Sequence, residues 1–224
     1  MKYFILLLCI GLLTTCAYGG DSLAKDSVFS SLYQEILESK DKSFYKKIRE
    51  SQNFESHIDL NNKYRTYLMH KVNFAPVNQV KSKIESEKNL VLKDRGEAHI
   101  TVITPPEHDA IIAAGIKGFS MNAVEKDYAS KIQSMDWSIR GIGVAKGHNF
   151  AGVYTEVYFL VVRSHQLRKL RVEVANKYKI PRKVFDPMKQ DFHITIGFTV
   201  GDLFNIPKDE TSLDPDLNLR NMVW

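Results

Sequence analysis

The tripeptide His-Ile-Thr occurs twice in this chain, at His99–Thr101 within EAHITVIT and at His193–Thr195 within DFHITIGFT. Random placement of seven histidines and nine threonines in 224 residues gives roughly 0.3 His-x-Thr occurrences, so two inside strand-like runs carry a signal. An imidazole titrates near pH ~6.5, so a pair can hold one neutral and one protonated ring near neutrality, as paired base and acid require. A hydroxyl two residues further on adds a hydrogen-bond donor. Side chains alternate faces along a strand, so each His points with its Thr, while Ile100, Val102, Ile194 and Ile196 anchor the reverse side. Glu97 and Asp191 stand two residues before their histidines and share those faces. A zinc or iron site is the rival reading of paired histidines, and these two carboxylates are the ligands it would recruit.

The surrounding pattern shows what must hold these residues. Val28, Leu32, Ile36 and Leu37, then Phe44, Tyr45 and Ile48, keep helical spacing, and the stretch to about Lys83 reads as more helix punctuated by Pro76. Near Asn89 the pattern changes. Asn89–Leu92 and Ala98–Ile103 are short, β-branched and strand-like, and Pro105-Pro106 ends the second run. Glu107–Ala114 reads as a short helix closed by Gly115, and Ser120 to Gln133 as another with Ser120 as N-cap. Trp137–Val144 and Val153–Val162 are strand-like; Ser164 caps a helix with Leu167, Leu170, Val174 and Tyr178 on one face; Phe192–Phe198 is the last strand. Strands and helices mix without strict alternation, which predicts an α+β fold with antiparallel sheets.

Residues 1–19 carry Lys2, an apolar run from Tyr3 to Leu13, and small residues ending at Gly19, the pattern of a secretory signal peptide. That run is short against the about 20 apolar residues of a spanning helix, so the expectation is a secreted or lumenal protein without stable membrane association after cleavage. Both cysteines, Cys9 and Cys16, lie in this segment, which leaves the expected mature chain without a disulfide or thiolate nucleophile. No Asn-x-Ser/Thr sequon occurs. The formal net charge of +5 is mild, but between Arg163 and Lys189 nine basic residues face only Glu173 and Asp186. Placed just before the second motif, this run suits a phosphate-bearing ligand, although charge runs are commonly solvated helix faces.

Two His-x-Thr motifs about ninety residues apart resemble the two-histidine (2H) phosphoesterase superfamily, which includes RNA 2′,3′-cyclic phosphodiesterases and 2′-5′ RNA ligase-like proteins. VYFLVV, Ser164, LRKLRVEVANKY and then DFHITIGF are similar to the family's C-terminal lobe element by element. The resemblance covers about residues 89–200. It implies a bilobed α+β fold with two antiparallel sheets around a central cleft, preceded here by N-terminal helices. It also implies a metal-independent phosphodiesterase with no cofactor, with His99 and His193 as general acid and base and Thr101 and Thr195 donating to the phosphoryl oxygens. Arg163 and Lys189 from the basic run, with Tyr154 and Phe192 as base-stacking aromatics, are the candidate substrate-binding residues. RNA or a nucleotide is the implied substrate, and a monomer is the expectation for the chain.

The domain reading is therefore a signal peptide over 1–19, an N-terminal helical extension over 20–88, a 2H phosphoesterase-like domain over 89–201 and a tail over 202–224. His57 and His70 fall in the helical region, His108 and His165 near helix starts, and His148 in the loop GHNFAG; Tyr158 is a further aromatic that either stacks a base or packs in the core. A non-enzymatic alternative is a secreted module of the same fold that grips a nucleotide or phospho-ligand without turnover. Retention of both His and both Thr argues against it, because binding alone needs charge and shape rather than paired proton carriers.

Overall fold

A computed structural model describes residues 42–62 and 65–219. The expected signal peptide and the helical spacing before residue 42 lie outside the described residues. Residues 42–48 are helical (α1). Then follow β1 (Leu68–Val72), α2 (Phe74–Lys88), β2 (Ala98–Ile103), α3 (Pro105–Ala113), α4 (Met121–Ile132), β3 (Ser138–His148), β4 (Tyr154–Arg163), α5 (His165–Lys177) and β5 (His193–Phe198), with a 3-10 turn at Glu210–Ser212. Among the described residues no helix is long and apolar enough to cross a membrane.

The five strands form one antiparallel sheet in the order β1-β2-β5-β4-β3. Two separate sheets are thus not what the strands build. The sheet is nevertheless thin at its middle, where β2 and β5 meet at one paired position, Ile100 opposite Ile194. Beyond it, the Thr101 carbonyl accepts from Gln190 Nε2 at 3.2 Å and the Val102 carbonyl from Arg171 Nη1 at 2.6 Å. Side chains thus satisfy carbonyls that a longer ladder would have used.

One face of the sheet carries the main core. Leu68 and Val72, Ile100 and Val102, Ile194 and Ile196, and Leu160 and Val162 bury their side chains with Ile48 of α1, Val80 and Ile84 of α2, Ile111 of α3, Val124 and Ile132 of α4, and Leu167, Leu170 and Val174 of α5. His70 lies in this core as a fully used polar group. Its Nδ1–H donates to the Ile132 carbonyl (2.8 Å) and its Nε2 accepts from Trp137 Nε1–H (2.9 Å). Burial depresses its pKa, and the Ile132 carbonyl only partly offsets that effect.

Local chemistry sets the helix starts. Thr104 and Glu107 form a reciprocal capping box on α3, so Pro105 and Pro106 both end β2 and occupy first-turn positions where a missing N–H costs nothing. Ser120 and Ser164 cap α4 and α5, as their sequence positions suggest. The expected strand Asn89–Leu92 does not form. Asn89 is the left-handed C-cap of α2, and the Leu92 N–H donates to Glu85 Oε1 instead of a ladder. Residues 68–72, read with the helical extension, are a strand; Leu-Met-His-Lys-Val is too short to show a period that tells helix from strand.

Arg171, counted in the basic run, is fully buried. Its guanidinium donates to both oxygens of Glu107 (2.6 and 3.0 Å) and to the carbonyls of Val102, Asp186 and Pro187, and it lies 4.5 Å over the Phe185 ring. It therefore ties the end of β2, the capping box of α3 and the 186–187 loop to α5. Arg171→Met strands Glu107 and three carbonyls, and is expected to lower the unfolding free energy by about 3–5 kcal/mol in urea denaturation. A loss below about 1 kcal/mol would mean the cluster is not what joins these elements.

Candidate active site

Alternation along β2 and β5 follows from which side chains are apolar. Ala98, Ile100 and Val102 are buried and His99 and Thr101 partly exposed; Ile194 and Ile196 are buried and His193 and Thr195 partly exposed. With Ile100 opposite Ile194 in an antiparallel pair, His99 falls across from Thr195 and His193 across from Thr101. All four share the sheet face away from the helices. Directly opposed residues in such a pair sit about 5 Å apart at Cβ and diagonal ones about 7–8 Å, which places the two histidines diagonally across from each other.

Each ring is held through Nδ1, but by different partners. His99 Nδ1 donates to Glu97 Oε1 at 3.0 Å. His193 Nδ1 donates to the Asp191 backbone carbonyl at 2.9 Å. Both arrangements leave Nε2 free to face the gap. Burial works to raise the pKa of Glu97, yet the hydrogen bond from His99 and the charges of His99, His57 and Lys71 hold it below the ordinary carboxylate range. His193 is likewise held well below an ordinary histidine, by burial first and then by the Lys208 ammonium.

Two walls flank this floor. On the β1 side, Tyr67 lies between His57 (ring centroids 4.4 Å apart, stacked) and His99 (5.3 Å). Burial and the Glu97 charge push its phenol above the usual tyrosine range. Among the described residues, His57 Nε2 is buried with no hydrogen-bond partner. On the β4 side, the segment after β5 returns across the sheet, with Leu203 buried against Ala145, Val157, Phe159 and Val161. It carries Asp202 and Lys208, each about 6–7% exposed and paired at 2.6 Å; Asp202 also accepts from Arg95 at 2.8 Å. Sequence reading missed Arg95, Asp202 and Lys208, as well as Tyr67 and His57. No spacing or motif in the polar tail marks Lys208, and His57 and Tyr67 sit in a stretch read as helical.

The candidate substrate-binding residues are not gathered at the motifs. Arg163 is exposed and paired with Glu210 at 2.6 Å. It lines a groove of about 460 Å³ with His165, Arg168, Asp191 and Phe192, which opens beside the motif face rather than over it. Phe192 is buried beneath the Arg168 guanidinium, 4.9 Å from its centroid. Lys189 is exposed on the loop before β5. Tyr154 is at the opposite end of β4 from the position pairing with His193, and its ring packs on His148. Tyr158 is buried and donates to Glu156 at 2.7 Å. Asp191 offers His193 its backbone carbonyl rather than its carboxylate, and among the described residues no three His, Cys, Asp or Glu side chains converge to hold a metal ion.

A family model described as "Swiss Army Knife, 2H phosphoesterase domain" matches residues 66–204. The match begins before β1, includes both motif strands, and ends just past Asp202. No curated protein and no solved structure matches the chain.

Close packing beneath His193 offers a direct check on this geometry. A Cβ on Gly143 would stand 2.5 Å from Phe159 Cε2 and 3.1 Å from the Ser212 carbonyl, and the Phe159 ring meets His193 edge-on at 5.7 Å. Gly143→Ala is expected to cost about 1–3 kcal/mol in thermal or chemical unfolding and to perturb the His193 ring resonances. An unchanged stability and spectrum would show that Phe159 is not wedged as described.

Proposed function

The chain belongs to the 2H phosphoesterase family, and from that premise we propose that it is a metal-independent phosphodiesterase acting on RNA ends or cyclic nucleotides. The observation that carries the reading is the pairing of Ile100 with Ile194, which turns both His-x-Thr units toward one face.

In the proposed reaction a phosphodiester lies across the gap. The Nε2 of one imidazole removes a proton from the attacking water or ribose hydroxyl, the new P–O bond forms, and the opposite P–O bond breaks. The Nε2–H of the other ring delivers its proton to the departing oxygen. Thr101 and Thr195 donate to the non-bridging oxygens, where charge accumulates. Glu97 and the Asp191 carbonyl fix the tautomers, so neither ring has to reorient during the step. Acid–base assistance of this kind is worth about 10²–10⁴ in rate.

Export through a signal peptide over 1–19 belongs to the same proposal and points to extracellular or lumenal RNA or nucleotide products. Finding the full-length chain in the cytosol with Met1 intact would count against it.

Purified chain should hydrolyse 2′,3′-cyclic nucleotides, or cleave 2′-5′- or 3′-5′-linked oligonucleotides, with EDTA present. His99→Ala and His193→Ala should each lose about 10²–10⁴ in kcat, and Thr195→Val about 10². Binding without turnover would favour a non-catalytic module, and activity that needs added metal would overturn the proposed mechanism.

A further inference from the structure

The two rings are not equivalent, and the difference comes from a group outside both motifs. His99 hydrogen-bonds a carboxylate, Glu97 Oε1. His193 hydrogen-bonds a neutral carbonyl and packs edge-on against Phe159. The same Phe159 ring takes the Lys208 ammonium at 5.9 Å. Lys208 is brought there by the segment after β5, which is pinned by buried Leu203 and by Ile206 lying over Gly147, where a Cβ would stand 2.8 Å from Ile206 Cδ1.

Charge in this corner does not balance. Asp202 is shared by two cations, Lys208 on Oδ1 and Arg95 on Oδ2, so the trio carries a net positive charge; Lys208 and Asp202 are nearly closed to water, while Arg95 is 37% exposed. Removing an ammonium from water is costly, and a single shared carboxylate compensates it only in part. What faces that surplus is a ring that can itself become cationic.

We propose that Lys208 is a positioning residue of this site: its buried ammonium, tethered by Asp202 and resting on the Phe159 ring that also supports His193, fixes His193 as the general base and leaves His99 as the general acid. The assignment rests on the phosphodiesterase reading above. Burial, then the Lys208 charge, hold His193 unprotonated; the Asp191 carbonyl and the Asp202 carboxylate work weakly the other way, and the His99 ring adds to the depression. Burial holds the Lys208 pKa below the ordinary lysine value, and the Asp202 carboxylate opposes that effect. On the opposite strand Glu97 offers an anionic partner to the ring that must carry a proton. The balanced step follows: His193 Nε2 takes the proton of the attacking O–H, that oxygen forms the new P–O bond as the P–O bond to the leaving oxygen breaks, and His99 Nε2–H protonates the departing oxygen. The two rings then exchange their proton with solvent before the next turnover.

The sign is fixed by the direction of the shift. A base whose pKa lies below the ordinary histidine value remains competent as pH falls past about 6.5, so activity persists into mild acid. Loss of the Lys208 charge lets the acid limb of kcat/KM move up toward about 6.5, and each unit of that movement costs about tenfold in rate at a fixed acid pH while leaving alkaline rates nearly intact.

Two measurements test this. Nitrogen-15 imidazole spectra of the wild-type chain, recorded from pH 5 to 8, should show His193 as a neutral ring protonated at Nδ1 throughout. In Lys208→Met the same ring should begin to protonate at higher pH, and Lys208→Arg should restore the wild-type behaviour. The pH profile of kcat/KM should follow the ring titration in all three proteins. A wild-type His193 that titrates at or above about 6.5 overturns the proposal without any variant, as does a folded Lys208→Met protein with an unmoved ring. If the ring behaves as described but no phosphodiester is cleaved, the electrostatic coupling stands and the phosphodiesterase reading falls.

Discussion

The site depends on one cross-strand pair. Ile100 and Ile194 face each other between β2 and β5, and both are fully buried. A side chain's face flips with each residue of register, so a slip of one position would bury His99 and His193 and expose the isoleucines that anchor them. Burial of the isoleucines under the helices is the free-energy term that forbids the slip. The geometry of the proposed site is in this sense a by-product of the core. Two aliphatic side chains on one face dictate where two imidazoles and two hydroxyls appear on the other.

That division of labour runs through the fold. The helices contribute to the core on one face, and the opposite face is left for chemistry, closed on one side by the His57–Tyr67 wall and on the other by the segment returning from β5. The short contact between β2 and β5 is part of the same arrangement. Where their ladder stops, Gln190 and Arg171 take over the β2 carbonyls, so the sheet can open without leaving backbone groups unsatisfied. The basic run is put to mixed use. Arg171 is core, Arg168 braces the carbonyls of Met188 and Gln190, and Arg163, Lys177 and Arg182 pair with Glu210, Asp127 and Asp186. The cation that bears on His193 comes instead from the tail, as Lys208.

Much of this was legible in the residues themselves. Alternation in HITVI and HITIGF told which side chains share a face, Ser120 and Ser164 marked helix starts as N-caps, and the two prolines after Thr104 marked the end of a strand, although the helix begins at Pro105 rather than at Glu107. The strand at 68–72 was hidden because Leu-Met-His-Lys-Val is too short to show a period. Its core-facing polar residue, His70, is satisfied only by Ile132 and Trp137, more than sixty positions away. The apolar run at Asn89–Leu92 misled for the opposite reason. It is apolar because Leu92 plugs the core, while its backbone is committed to the end of α2. Lys208 was invisible because its environment is made by long-range packing. A lysine in a polar tail becomes a buried charge only once Leu203 and Ile206 bring it onto Phe159.

The central claim is that two imidazoles from distant parts of the chain converge on one phosphoryl group. A ring-nitrogen titration with a nucleoside 2′,3′-cyclic vanadate, which mimics the five-coordinate phosphorus of the reaction, tests it most directly. The account predicts that the Nε2 resonances of His99 and His193 both move in one saturable transition with a common Kd, while those of His70 stay fixed. Movement of one ring alone, or of the two with different affinities, would contradict it.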